Sequence, residues 1–198
     1  MSNPKYVKVD NKLYKINTDF RVALECNNIS EDTSIGDYER ALAIIYKLFG
    51  EEGLNCDNQN KLIELGLQYL SLGSTENQFK TENNEDYELD FNKCRGLIES
   101  SFKFDYKYNP YQLEYLHWYD FYNDLCNLST SEFGNCCILN RIIGVLNTKA
   151  SEIKDNKQRT EVVKAQEEIK EKYCKLKQKE MTEEQKRSSE EFYKALGF

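Results

Sequence analysis

Two prolines in 198 residues leave little to interrupt a helix. A single histidine and seven scattered cysteines (26, 56, 94, 126, 136, 137 and 174), with no Cys-x-x-Cys pair, do not make up a usual Cys/His zinc set, so no metal is expected. No run of about 18 apolar residues is present, which argues against a membrane span. The opening MSNPKYVKVDNKLYK lacks the apolar core of a secretion signal, so the chain is expected to stay in the cytosol where it is made, with reduced thiols. Also missing are GxxxxGK[ST], GxGxxG, HExxH and GxSxG, and with them the indication of an organic cofactor or a familiar catalytic arrangement. Asp57-Asn58-Gln59-Asn60 lacks the glycine and terminal glutamate of a calcium loop, and the closely spaced Asp86, Glu88 and Asp90 read as a solvated cluster. Residues 1–148 carry 14 basic and 23 acidic groups, a net −9, whereas 149–198 carry 13 and 11, a net +2. A body so negative repels phosphate, so nucleic acid is not expected as a partner.

What is present favours helix. Leu, Ile, Glu and Lys are abundant, with 14 Tyr and 10 Phe to fill a core. Residues 6–16, YVKVDNKLYKI, predict a short β-hairpin around Asp10-Asn11. A helix is expected over 17–29 with Asn17 or Thr18 as N-cap. Tyr38, Ala41, Leu42, Ile45, Leu48 and Phe49 repeat at helical spacing and end at Gly50, a good C′ residue. Asp57 is a candidate cap for a helix carrying Leu62, Ile63, Leu67, Tyr69 and Leu70 to Gly73. Residues 74–85 are polar and predict an exposed loop. Helical spacing resumes over 86–102 through Phe91, Cys94, Ile98 and Phe102, with 102–108 open to an extended alternative. Ser129 and Glu132 suggest a capping box before a helix with Phe133, Cys136, Cys137, Ile143 and Leu146. From about residue 150 the chain reads as a long charged helix, and Thr182 with Gln185 opens a last short helix containing Phe192, Leu196 and Phe198. The expected architecture is mostly α: a compact helical domain, 1–148, with an N-terminal hairpin, and a charged helical C-terminal extension, 149–198.

The densest aromatic stretch is EYLHWYDFYNDLCNL, 114–128. Asn109-Pro110 is a strong helix start, predicting one helix over about 110–127. On it Leu113, His117, Phe121 and Leu125 form one stripe, and Trp118 and Tyr122 a second row beside Tyr111 and Tyr115. Apolar on more than one side, this helix is expected to be central and to offer a partner surface at His117, Trp118, Phe121 and Tyr122. The favoured reading of His117 itself is a core or semi-buried histidine hydrogen-bonded through one ring nitrogen. A third role, activating Cys126 or Cys137 as a nucleophile, has no supporting arrangement in the sequence.

The segment 90–142, with Asp90, Ile98, Ser101, Phe102, Leu116, His117, Trp118, Phe121 and Arg141 in register, together with YKINTDFRVAL at 14–24, resembles the bacteriophage gene-product-fifteen family. The likeness covers about residues 1–178 and omits 74–85, with Tyr119 standing where a second tryptophan is expected. It implies a tail-morphogenesis protein acting in the bacterial host cytoplasm: a chaperone-like, non-enzymatic binder of the tape-measure and tail-tube proteins, possible as a homo-oligomer. The alternatives are a structural component of the tail or tail-completion complex and a small adaptor acting on a host protein. Asp90, Ile98, Phe102, Leu116 and Arg141 are carried over as structural positions, Arg141 as an internal ion-pair partner of Asp90 or another acid. The charged extension is left as either a second arm for tube subunits or a solvated appendage.

Overall fold

The computed structural model describes residues 3–72, 87–129 and 137–176. Over these the chain forms seven α-helices and two antiparallel two-stranded sheets, the mostly α architecture that the sequence predicts. The hairpin pairs β1 (Tyr6–Val9) with β2 (Lys12–Lys15). Its two turn residues, Asp10 and Asn11, both adopt positive φ (46° and 67°), the conformation that a two-residue turn matched to strand twist requires and that Asp and Asn tolerate. A lone hairpin is marginal in water. This one buries Val9 and Tyr14 and lies on the second and third helices.

Helix α1 (Phe20–Glu31) begins later than Asn17 or Thr18 would place it, because Asp19 is the N-cap and its carboxylate accepts from the Arg21 amide at 2.9 Å. Helix α2 (Asp37–Leu54) is interrupted at Gly50, whose φ of 66° only glycine adopts without strain. The last turn folds back so closely that a Cβ on Gly53 would lie 2.6 Å from the Phe49 Cβ. Helix α3 (Gln59–Leu70) is capped by Asn58, not Asp57: the Asn58 side chain accepts from the Lys61 amide. The short α2–α3 connection makes the pair a helical hairpin.

The helix expected from residue 86 is replaced at its start by strand β3 (Tyr87–Leu89), whose Leu89 is buried opposite Cys174. Asp90 then turns the chain, its carboxylate accepting from the Asn92 and Lys93 amides, and α4 (Arg95–Asp105) comes next. Residues 102–105 are therefore helical, and the extended alternative fails there. Helices α5 (Trp118–Cys126), α6 (Ile138–Asn147) and α7 (Asn156–Tyr173) complete the set. The charged α7 buries none of its residues, yet Gln166 donates to the Val145 and Thr148 carbonyls at the end of α6 (2.9 and 2.7 Å). The chain then returns through β4 (Cys174–Leu176), antiparallel to β3, with the Asp90 amide on the Tyr173 carbonyl. Lys175 pairs with Glu31 and Glu88, tying this end to α1. The loop read at 74–85, the positions Glu132, Phe133 and Cys136, and the short helix opened by Thr182 lie outside the described residues.

Two glycines test the packing. Gly53→Ala should lower unfolding free energy by about 1–3 kcal/mol through overpacking. Gly144→Ala, where a Cβ meets nothing within 4 Å in the interior of α6, should raise it by about 0.5–1 kcal/mol. Urea denaturation of both variants, with opposite shifts in midpoint, is the check.

Candidate functional site

The predicted helix over 110–127 does not form as one element. Asn109 and Pro110 do start a helix, capped at the Tyr111 amide, but it is a single 3-10 turn, Pro110–Gln112. Residues 113–117 are drawn out because their backbone groups are claimed elsewhere. Arg21 donates to the carbonyls of Leu113 (3.2 Å) and Glu114 (2.8 Å), and the Phe20 amide takes that of Leu116 (3.0 Å). These carbonyls would otherwise close helical turns. Asp19 holds the Arg21 guanidinium through both carboxylate oxygens (2.7 and 2.6 Å), which raises the arginine's proton affinity further above its ordinary value. The Thr18 and Tyr115 hydroxyls meet at 2.6 Å.

Asp19 and His117 face each other across an isolated antiparallel bridge, and each is also the N-cap of the helix after it. His117 Nδ1 accepts from the Tyr119 amide at 3.0 Å, so the ring proton resides on Nε2, which donates to the Pro4 carbonyl at 3.2 Å. Both ring nitrogens are engaged and the residue is buried at 4 % exposure. The core reading of His117 is the one the geometry supports, with two bonds rather than one. Trp118 Nε1 donates to the Leu70 carbonyl at 3.0 Å, closing the C-terminal end of α3.

Beneath this bridge Phe20 stacks on Phe121 at 4.3 Å between centroids, and Phe121 on Phe102 at 5.5 Å. All three are fully buried, each contributing on the order of 1.5–3 kcal/mol by burial. Ile98 is buried on the same face of α4, and Leu116 is partly buried against the core. Ser101 accepts from the Leu139 amide, serving α6 whose own cap residue, Cys137, makes no side-chain bond. The proposed partner quartet therefore faces the wrong way: His117, Trp118 and Phe121 lie in the core, and Tyr122 is half-buried beside Trp118. Their row points inward because α5 begins only at Trp118 and packs on α1 and α4. Arg141 is exposed and does not pair with Asp90, whose carboxylate is taken by the turn amides.

Among the described residues no group of three or more His, Cys, Asp or Glu is placed to hold a metal ion. No described helix is long and apolar enough to cross a membrane. Burial pushes the Cys26 and Cys94 thiols from 9.0 up to about 12, and raises Cys174 too. Of the two cysteines considered as nucleophiles, Cys137 is buried at the start of α6 and Cys126 is exposed at the end of α5.

The feature that sequence reasoning missed is an open apolar groove of about 500 Å³ between α2 and α3. One wall is the α2 row Tyr38, Leu42 and Ile45, the other the α3 row Ile63 and Leu67, with Ser30 of α1 at one edge. Tyr38 and Leu67 are 40 % and 46 % exposed. The inward face of α3 is already supplied by Leu62, Gly66, Tyr69 and Leu70, so the exposed Leu67 is an apolar residue beyond the need of the core, while Ile63 is partly buried against it. That surplus was readable as an apolar arc wider than one packed face, but the choice of outward row needed the fold.

A family model described as Bacteriophage Gp15 protein matches residues 2–173. No curated protein and no solved structure matches the chain.

His117→Ala removes the cap of α5 and strands the Pro4 carbonyl, and should cost about 2–3 kcal/mol, whereas His117→Asn, which keeps an acceptor for the Tyr119 amide, should recover part of that loss in thermal unfolding. The raised thiols set an alkaline limit. Their protonated forms are favoured in the folded chain, so their contribution is complete below pH 9 and lost as pH rises toward about 12. The urea midpoint should fall between pH 9 and 11, and of the six described cysteines iodoacetamide should label Cys126 first.

Proposed function

Because the chain belongs to the bacteriophage Gp15 protein family, we propose that it is a non-enzymatic binding protein of tail morphogenesis, acting in the bacterial host cytoplasm on the tape-measure protein and, through it, on tail-tube assembly. The observation that carries this reading is the α2–α3 groove. Two rows at helical spacing, open to solvent and walled by one aromatic and several aliphatic side chains, match the apolar stripe of an amphipathic helix. A tape-measure protein that is long and helical offers such stripes and aggregates when they are bare. A chain of net charge −7 keeps a complex of this kind in solution while the groove is filled.

The side chains that chemistry would need are otherwise engaged, which favours binding over turnover. His117 caps a helix with one nitrogen and holds a carbonyl with the other, and burial keeps the Cys26 and Cys94 thiols protonated. The partner surface moves accordingly from His117, Trp118, Phe121 and Tyr122 to Tyr38, Leu42, Ile63 and Leu67.

Co-expression with the tape-measure gene of the same phage tests this. The tape-measure protein should become more soluble and co-purify with the wild-type chain. Ile63→Asp/Leu67→Asp, verified as folded by circular dichroism, should reduce its recovery at least about tenfold, the effect of losing roughly 1.4 kcal/mol. No co-purification and no gain in solubility sinks the reading. Finding the chain at fixed copy number in purified virions by mass spectrometry would replace it with the structural-component alternative.

A further inference from the structure

We propose that the α2–α3 groove selects an amphipathic helix whose apolar stripe is flanked by lysine and arginine, and rejects acidic helices and a second copy of this chain. The inference rests on the groove being a docking site and adds the chemistry of its occupant. The apolar rows require a stripe on the occupant, and the charges beside them decide what borders that stripe. Residues 30–67, from the groove's edge at Ser30 to Leu67, carry eight acidic and three basic groups, a net −5 within a chain of −7. Each of the three basic side chains is already in an ion pair: Arg40 with Asp37, Lys47 with Glu25 and Lys61 with Glu64. Setting these pairs and Glu31–Lys175 aside leaves Asp32, Glu39, Glu51, Glu52 and Asp57 as surplus negative charge. This stretch offers no surplus cation to an acidic partner.

Part of the surplus stands next to the residues that line the groove. Glu39 follows Tyr38, and Asp57 lies two positions before Gln59; both acids are exposed. Adjacent Cα atoms are about 3.8 Å apart, which keeps these positions within the Debye length of about 10 Å at 0.1 M salt. Asp32 is held at the same end of α2, its carbonyl accepting from Arg40 Nη1 at 2.7 Å. Its carboxylate accepts from the Ser34 hydroxyl and amide (2.5 and 2.8 Å), bonds that lower its proton affinity and keep it charged. Lysine or arginine beside the partner's stripe is attracted by this field, and aspartate or glutamate is repelled. A second copy docking through the same patch would set the negative surplus against itself.

The test titrates the full chain with two fluorescein-labelled peptides of roughly 18 residues, long enough for five helical turns. Both carry leucines at i, i+3, i+4 and i+7 spacing; the positions beside that stripe are all lysine in one and all glutamate in the other. In fluorescence anisotropy at about 50 mM NaCl the lysine peptide should bind at least about tenfold more tightly, and about 500 mM should bring the two within roughly threefold. Asp57→Lys/Glu64→Lys, verified as folded by circular dichroism, should weaken the lysine peptide and strengthen the glutamate peptide, each by roughly threefold or more. Leu67→Ser should weaken the lysine peptide at least about threefold, because binding also needs the apolar wall. Equal affinities at low salt, a tighter glutamate peptide, or no binding of either overturn the proposal. So does lysine-peptide binding that Leu67→Ser leaves unchanged, or a dimer in sedimentation velocity that Leu67→Ser dissociates. Charge-selective peptide binding without tape-measure co-purification would remove the functional reading and leave the selectivity standing. Tape-measure co-purification with equal peptide affinities would remove the selectivity alone.

Discussion

Two helices of this protein start from the same place. Asp19 and His117 lie opposite each other in a single antiparallel bridge, with the Trp118 amide on the Thr18 carbonyl and the Phe20 amide on that of Leu116. Each bridged residue then turns its side chain forward to cap its own helix. The starts of α1 and α5 are thereby fixed relative to each other, and so is the stack Phe20–Phe121–Phe102 beneath them. The arrangement recruits further parts of the chain: Pro4 through His117, the end of α3 through Trp118, and the strand before α5 through Arg21. Such a network is costly to break in part, since each lost partner leaves a buried polar group unpaired.

This has a consequence for function. The residues that carry the family likeness, around 18–21 and 116–121, are consumed by the fold. Polar side chains of types suited to chemistry hold backbone groups, and the aromatic ones pack on each other. The surfaces that the bridge leaves free include the α2–α3 hairpin, where Tyr38 and Leu67 stand exposed beside an apolar groove.

Legibility tracked the range of the interactions. The α2 helix was readable because its apolar period and its stop at Gly50 are local, and Gly50 does adopt the positive φ that a glycine stop implies. The hairpin was readable from alternation around Asp10-Asn11. Residues 113–117 were misread because helical spacing survives in the sequence while their carbonyls are taken by Arg21 and Phe20, more than ninety positions earlier. Residues 87–89 were misread for a similar reason: three residues become a strand only because Cys174–Leu176 returns to pair with them.

From the sequence alone came the helical class, the hairpin, most helix stops and the expectation that His117 belongs to the core, because propensity, capping chemistry and apolar period act within a turn or two of chain. Tertiary structure alone decided that Trp118 and Phe121 look inward while Tyr38 and Leu67 look out. A one-dimensional pattern says that a helix has an apolar arc, but which part of that arc is covered depends on neighbours brought in by hydrogen bonds across the whole chain.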